Sequence, residues 1–115
     1  MERIGIIGDV HAEHQRLETA LDLFEKKKVD LLLCTGDLAD GRGDLDACCS
    51  MLTDAGALVV AGNHDRWFLE EKVRHVANAH HRQHASPGTV HFMERLPCTR
   101  SVDTGLGKLI LCHGV

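Results

Sequence analysis

Residues 30–40, Asp30-Leu31-Leu32-Leu33-Cys34-Thr35-Gly36-Asp37-Leu38-Ala39-Asp40, decide how this chain is read. The apolar run is short, lacks polar alternation and ends at Gly, the pattern of a strand buried on both faces. Two carboxylates follow the glycine. Two other apolar runs close on Gly and then Asp or Asn, Ile6-Ile7-Gly8-Asp9-Val10-His11 and Val59-Val60-Ala61-Gly62-Asn63-His64-Asp65, and in a further one, Leu109-Ile110-Leu111-Cys112-His113-Gly114, the Gly follows the His. Neighbouring strands would carry these Asp, Asn and His side chains to one edge of one sheet, where open α/β sheets place their sites. Carboxylates mixed with imidazoles suit a divalent metal or a pair of them.

Working outward, Arg3 to Gly8 reads as a first buried strand and Ala57 to Ala61 as a third. Leu17, Ala20, Leu21 and Phe24 recur at helical spacing, which predicts a helix over about 13–28. Lys26-Lys27-Lys28 suits the negative end of its dipole. Leu45, Cys48, Cys49 and Leu52 predict a second helix, with Asp44 as its cap and Gly56 as its stop. The order β-α-β-α-β implies a parallel sheet. A third helix is predicted from about Arg66 to Ala79, with Leu69, Val73 and Val76 inward. Ser86-Pro87-Gly88 reads as a turn and Thr89 to Met93 as a short strand. Thr99–Asp103 and Lys108–Cys112 read as a hairpin joined through Gly105-Leu106-Gly107.

A chain of 115 residues suits one domain, here residues 1–115, able to bury a core. The net charge of -4 gives no support to nucleic acid or a membrane surface held by bulk electrostatics. No apolar stretch is long enough to span a bilayer. Met1 to Gly5 runs straight into a predicted strand, so no signal peptide is expected. Five cysteines, without a C-x-x-C pair, fit a reduced cytoplasmic chain with structural thiols. His80, His81 and His84 fit a solvated loop or frayed helix end better than a further metal site, because adjacent residues diverge on a helix.

The words D-x-H (Asp9, His11), G-D-x-x-D (Gly36, Asp37, Asp40) and G-N-H-D (Gly62 to Asp65) occur in that order, each after a strand, and His113-Gly114 follows the last strand. Singly each has a plain reading: a strand end, a turn, a loop that caps the next helix through Asp65. As an ordered set they resemble the calcineurin-like metallophosphoesterase family, nearest its small bacterial phosphodiesterase-like branch. The resemblance covers nearly the whole chain. It implies an α/β fold, a two-sheet sandwich flanked by helices, and hydrolysis of phosphomonoesters or phosphodiesters by a metal-activated hydroxide attacking in line. Two divalent ions are implied, Mn or Fe by preference, with Zn or Ni also compatible.

Residue by residue, the family pattern implies that Asp9, His11 and Asp37 hold one ion, and Asn63, His113 and Asp37 the other. Asp37 is the bridge, beside a glycine that lets backbone pass close to the ions. The resemblance makes His64 the residue that donates a proton to the leaving group or stabilises the transition state, and Asp40 the carboxylate that orients it. Asn63 and Arg66 would contact the substrate phosphate. The substrate is then a small phosphate ester, with a nucleotide among the compatible classes. Trp67 and Phe68 read equally as base-stacking or packing residues.

The pattern also departs from the family's. Ala12 follows His11, and Gly41-Arg42-Gly43 follows Asp40, where the phosphoprotein-phosphatase branch differs. The family's Gly-His-x-His word does not occur before Val115. On this reading C-terminal strands are missing, each ion lacks a ligand, and weak metal binding by this chain is expected. An exposed sheet edge would then favour homo-oligomers. The readings set against an enzyme are a non-catalytic interaction scaffold of the same fold and an inactive fragment of a longer phosphoesterase.

Overall fold

The computed structural model describes residues 3–114; Met1, Glu2 and Val115 lie outside the described residues. The element order is β1 (Ile4–Ile7), α1 (His14–Lys26), β2 (Leu31–Cys34), α2 (Leu45–Asp54), β3 (Leu58–Val59), α3 (Asn63–Glu70), α4 (Pro87–Glu94), β4 (Thr99–Thr104) and β5 (Gly107–Cys112). Strands β1, β2 and β3 form a parallel sheet in that order, with Ile4 opposite Leu31 and Cys34 opposite Val59. The antiparallel hairpin β4–β5 forms a second sheet, with Thr104 opposite Gly107 at its turn.

Side-chain alternation along β2 divides the interior. Cys34 joins a core with Leu17 of α1, Leu45, Cys48 and Leu52 of α2, Phe68 of α3 and Met93 of α4. Leu33 points the other way and meets Val60 and Leu111, with Leu31, Leu58 and Leu109 beside them. The parallel sheet therefore lies between a helical layer and the hairpin. The hairpin is also tied by polar contacts: Arg100 Nε donates to the Val59 carbonyl at 2.9 Å, and the Ala61 N–H donates to the Pro97 carbonyl at 2.8 Å.

The five thiols are free. Burial pushes Cys34 up to about 11, against a hydrogen bond from Gly36, and pushes Cys48 and Cys49 up to about 12. Protonated thiols of this kind pack as small apolar groups.

Two predicted elements are corrected. The helix expected over 66–79 is shorter and starts earlier, at Asn63, and ends at Glu71, whose φ of 57° is left-handed. The carboxylate of Asp65 accepts the Gly62 N–H at 2.9 Å, which begins the helix three residues before Arg66. Residues 71–81 then form turns and irregular chain, followed by one 3-10 turn, Arg82–His84. The strand expected over 89–93 is helix α4. Ser86 is its N-cap, accepting the Thr89 N–H at 3.1 Å, and Pro87 holds the first helical position, where its missing N–H costs nothing. The Ser-Pro pair was the signal for this; the apolar residues Val90, Phe92 and Met93 were too few to fix a period.

Asp44 does cap α2, its carboxylate accepting the Ala47 N–H at 3.0 Å. Gly56 takes a φ of 69° just past the end of that helix.

Candidate metal centre

The carboxyl ends of β1, β2 and β3 and the end of β5 converge on one edge. The loops there are unusually bent. Asp9, His11, Ala12, Asp37 and Asp40 all have φ between 43° and 74°, the left-handed region that Asp and His enter more readily than most side chains. Ala12 is the one of the five without that ease, and such a conformation persists where the surroundings over-determine it. The glycines make the bends possible. A Cβ on Gly36, whose φ is 95°, would lie 2.5 Å from the Gly62 nitrogen. A Cβ on Gly62 would run into the Asp37 carboxylate. Gly41 and Gly43 pass equally close to the carbonyls of His11 and Ala12.

Asp65 holds this region together. It is fully buried. Its Oδ1 accepts the N–H of Leu38 at 2.8 Å and of Ala39 at 3.1 Å, and its Oδ2 accepts those of Asp37 and Gly62, both at 2.9 Å. Burial pushes the carboxyl above its ordinary range, opposed by the hydrogen bonds from Gly62, Ala39 and Leu38. The sequence shows Asp65 only as a helix cap; its larger part is to clamp the Gly36-Asp37-Leu38-Ala39 turn onto the start of α3.

Asp37 lies at the centre of the site, 5 % exposed. Its Oδ1 accepts the His64 N–H at 3.0 Å. Its Oδ2 lies 3.2 Å from His113 Nε2 and 3.7 Å from His11 Nε2. His11 Nδ1 lies 3.0 Å from the carbonyls of both Ala39 and Asp40, and His113 Nδ1 lies 2.8 Å from the carbonyl of Thr35. A carbonyl only accepts, so in each ring Nδ1 carries the proton, and Nε2 of the neutral ring is a bare lone pair. His113 Nε2 also sits 3.1 Å from Asn63 Oδ1. Bare nitrogens facing carboxylate and amide oxygens repel unless a proton or a metal cation lies between them. The donor set therefore fits divalent ions, and the backbone carbonyls supply the outer contacts that orient such ligands.

Two groups of ligand atoms lie within 4.8 Å of one another: His11, Asp37 and His64, and Asp9, Asp37 and His113. Asp37 is common to both, with Asn63 beside the second. The structure thus brings together all five residues that the sequence marks as ligands.

His64 stands at the rim, its ring 4.8 Å from that of His11, edge to face, and 4.8 Å from that of Trp67. Its Nδ1 donates to Asp40 Oδ2 at 2.8 Å, which leaves Nε2 as the ring's outward atom. Asp40 is buried. Burial would raise its carboxyl, but hydrogen bonds from Arg74, His64 and His80 outweigh that and hold it below the ordinary carboxylate range. Arg66 is exposed on the first turn of α3, away from the hydrogen-bonded network. Phe68 is fully buried and Trp67 half-buried, so only Trp67 borders the site.

Sequence reasoning missed Arg74 and His80. Arg74 lies in the stretch assigned to a helix, and His80, just past it, belongs to the cluster read as solvated. Instead His80 is half-buried, and its Nδ1 accepts the Asp40 N–H at 2.8 Å.

Comparison with known proteins gives these residues a context. A family model described as calcineurin-like phosphoesterase matches residues 2–115. An uncharacterized protein of Methanocaldococcus jannaschii, MJ0912, is 27% identical over 66 residues, which is 57% of this chain and 27% of that protein. A metallophosphoesterase from Sphaerobacter thermophilus superposes with a TM-score of 0.66 at 27% identity, over 85% of this chain and 42% of that one. A proposed diadenosine tetraphosphatase gives 0.69 at 30% identity, over 84% and 44%. YfcE, a phosphoesterase from E. coli, gives 0.63 at 17% identity and shares the fold. The chain spans less than half the length of the first three.

Proposed function

Because the chain belongs to the calcineurin-like phosphoesterase family, we propose that this sheet edge hydrolyses phosphomonoester or phosphodiester bonds with two divalent cations. The carrying observation is the position of Asp37 Oδ2 between His113 Nε2 and His11 Nε2. One carboxylate shared by two ligand groups is what a pair of ions about 3.5–4 Å apart requires.

Asp9, His11, Asp37, Asn63 and His113 would hold the ions. When bound, the ions supply Lewis acidity, which lowers the pKa of water at the site and neutralises phosphate charge. The chain's own residues do the rest. Asp37 fixes the spacing, while its second oxygen, bonded to the His64 N–H, holds the start of α3 in place. His64 presents Nε2 to the site and, when protonated, can give that proton to the leaving oxygen. Asp40 holds the ring through Nδ1 and stabilises its charge. Asn63 and Arg66 contact the phosphate. Oxygen and imidazole ligands suit Mn or Fe best, with Zn and Ni also within their range.

A nucleotide fits the substrate side, because half-buried Trp67 places an aromatic wall beside His64. The similarity to a proposed diadenosine tetraphosphatase supports the same class. Free thiols suit the reducing cytoplasm. Among the described residues no helix is long and apolar enough to cross a membrane. A second copy of this chain is the partner suited to exposed Ile6 and Ile110, and sedimentation at rising concentration checks it.

The test combines Mn titration calorimetry with turnover of bis-p-nitrophenyl phosphate. His64→Ala should slow turnover about 10²–10⁴-fold, the usual worth of general acid catalysis, while Mn affinity stays near wild type. Asp37→Asn should abolish both. Unchanged turnover in His64→Ala would remove the proton donor from the mechanism.

A further inference from the structure

We propose that Arg74 is a positioning residue for the His64–Asp40 pair: its guanidinium fixes the Asp40 carboxylate and, through it, the tautomer of His64. The inference rests on His64 as the group that meets the leaving oxygen.

The contact is bidentate. Arg74 Nη1 donates to Asp40 Oδ1 at 2.7 Å and Nη2 donates to Oδ2 at 2.9 Å. This fork-on-carboxylate geometry fixes orientation as well as distance. Both partners are withdrawn from water, the Arg74 side chain 12% and the Asp40 side chain 1% exposed. Two of the three remaining donors of the guanidinium are also used inside the molecule. Nε donates to the Lys72 carbonyl at 2.8 Å and Nη1 to the His80 carbonyl at 2.8 Å. Arg74 therefore faces Asp40 and not the substrate.

Asp40 Oδ2 is the atom that links the two sides. It accepts from Arg74 Nη2 and from His64 Nδ1 at once. Oδ1 is held in turn by the His80 N–H at 3.0 Å. With both oxygens pinned, the carboxylate cannot rotate, and the only fit for His64 is a proton on Nδ1 with Nε2 toward the site. Without the guanidinium only the His80 N–H still holds the carboxylate, through Oδ1, and Oδ2 loses the contact that fixes it toward the His64 ring.

The surrounding chain is shaped for this contact. The Asp40 N–H donates to His80 Nδ1 and the Gly41 N–H donates to the Asn78 carbonyl at 3.1 Å. Segment 74–80 thus closes around residues 40–41 from three points. Val73 adopts a φ of 53° along the way, a conformation costly for a β-branched residue.

The deciding measurement is the ring ¹⁵N spectrum of His64, in metal-free chain labelled at histidine and held where imidazoles are neutral. Wild type should show the Nδ1–H form alone. In Arg74→Met the two ring nitrogens should move toward each other as both tautomers populate, with the backbone amide spectrum still native. With Mn present, kcat for bis-p-nitrophenyl phosphate should fall about tenfold, the low end for losing an outer partner of a site, with KM little changed. A His64 that keeps its Nδ1–H form in natively folded Arg74→Met overturns the proposal. Should that variant unfold, Arg74→Lys carries the test. It keeps the charge with one point of contact, and the same spectral change is expected; an unchanged His64 there overturns the proposal equally. A wild-type chain with the Nδ1–H form but inactive on all phosphate esters would instead overturn the hydrolase reading, leaving the Arg74 result to stand alone.

Discussion

The two halves of the site are held in different ways. On the half proposed to face the metals, the candidate ligands sit on loops bonded backbone to backbone and clamped by one buried carboxylate, Asp65. On the half proposed to donate the proton, Asp40 is held by side chains of a segment without regular structure, through an ion pair with Arg74 and a hydrogen bond to His80. The first half is built into the sheet edge and stands or falls with the fold. The second is attached afterwards, and can loosen while the sheet remains. Mutations should separate the two.

The largest effect is expected at Asp65. Asp65→Ala removes the acceptor for four backbone N–H groups in a water-free interior. Each unsatisfied buried donor costs about 1–3 kcal/mol, so even with partial relaxation the loss should reach at least ~3 kcal/mol. Urea denaturation measures it. A loss below ~1 kcal/mol would mean that the turn is held without the clamp.

Next in size is Gly62→Ala. Its φ of -92° suits any residue, so the cost is purely the close approach. The new methyl would meet the Asp37 nitrogen at 2.5 Å and overlap its carboxylate. Overpacking of this kind costs about 1–3 kcal/mol. Because the displaced group is the shared ligand, Mn affinity should fall as well, about 10–100-fold by analogy with lost supporting contacts. Calorimetry that finds Mn binding intact would show that Asp37 can shift without harm, and would weaken its reading as the bridge.

The same division explains what could be read from sequence. The strands and the ligand loops were legible because their signals are local: an apolar run, a glycine, then a hard ligand. The hairpin was equally plain, through Gly105-Leu106-Gly107. The proton-donor half was not. Arg74 and Asp40 are 34 residues apart, and no period or motif joins them. Val73 and Val76 mimic a helical face, yet the chain leaves the helix at Glu71 and Arg74 is drawn to a buried carboxylate instead. Tertiary contact overrode local pattern, as it does where ion pairs outweigh weak propensity.

The smallest effect is expected where the attached half meets the helices. Asp46, exposed in the first turn of α2, accepts the Thr89 hydroxyl at 2.6 Å and the Ser86 N–H at 3.1 Å, and so anchors the start of α4 just after the segment that carries Arg74 and His80. The hydrogen bond from Thr89, aided by those from Ser86 and against partial desolvation, holds its carboxyl below the ordinary carboxylate range. A carboxyl depressed on folding stabilises the protein above its unfolded pKa of about 3.9 and loses that contribution as pH falls through the folded value. Wild type should therefore exceed Asp46→Asn by about 0.2–1 kcal/mol near neutrality, the worth of a polar contact discounted for solvent screening at an exposed carboxylate, with the difference closing below about pH 4. Amide exchange should quicken in 71–89 and stay unchanged in β1 and β2. Equal quickening in the strands would show that the two halves share one cooperative unit, and the contrast drawn between them would fail.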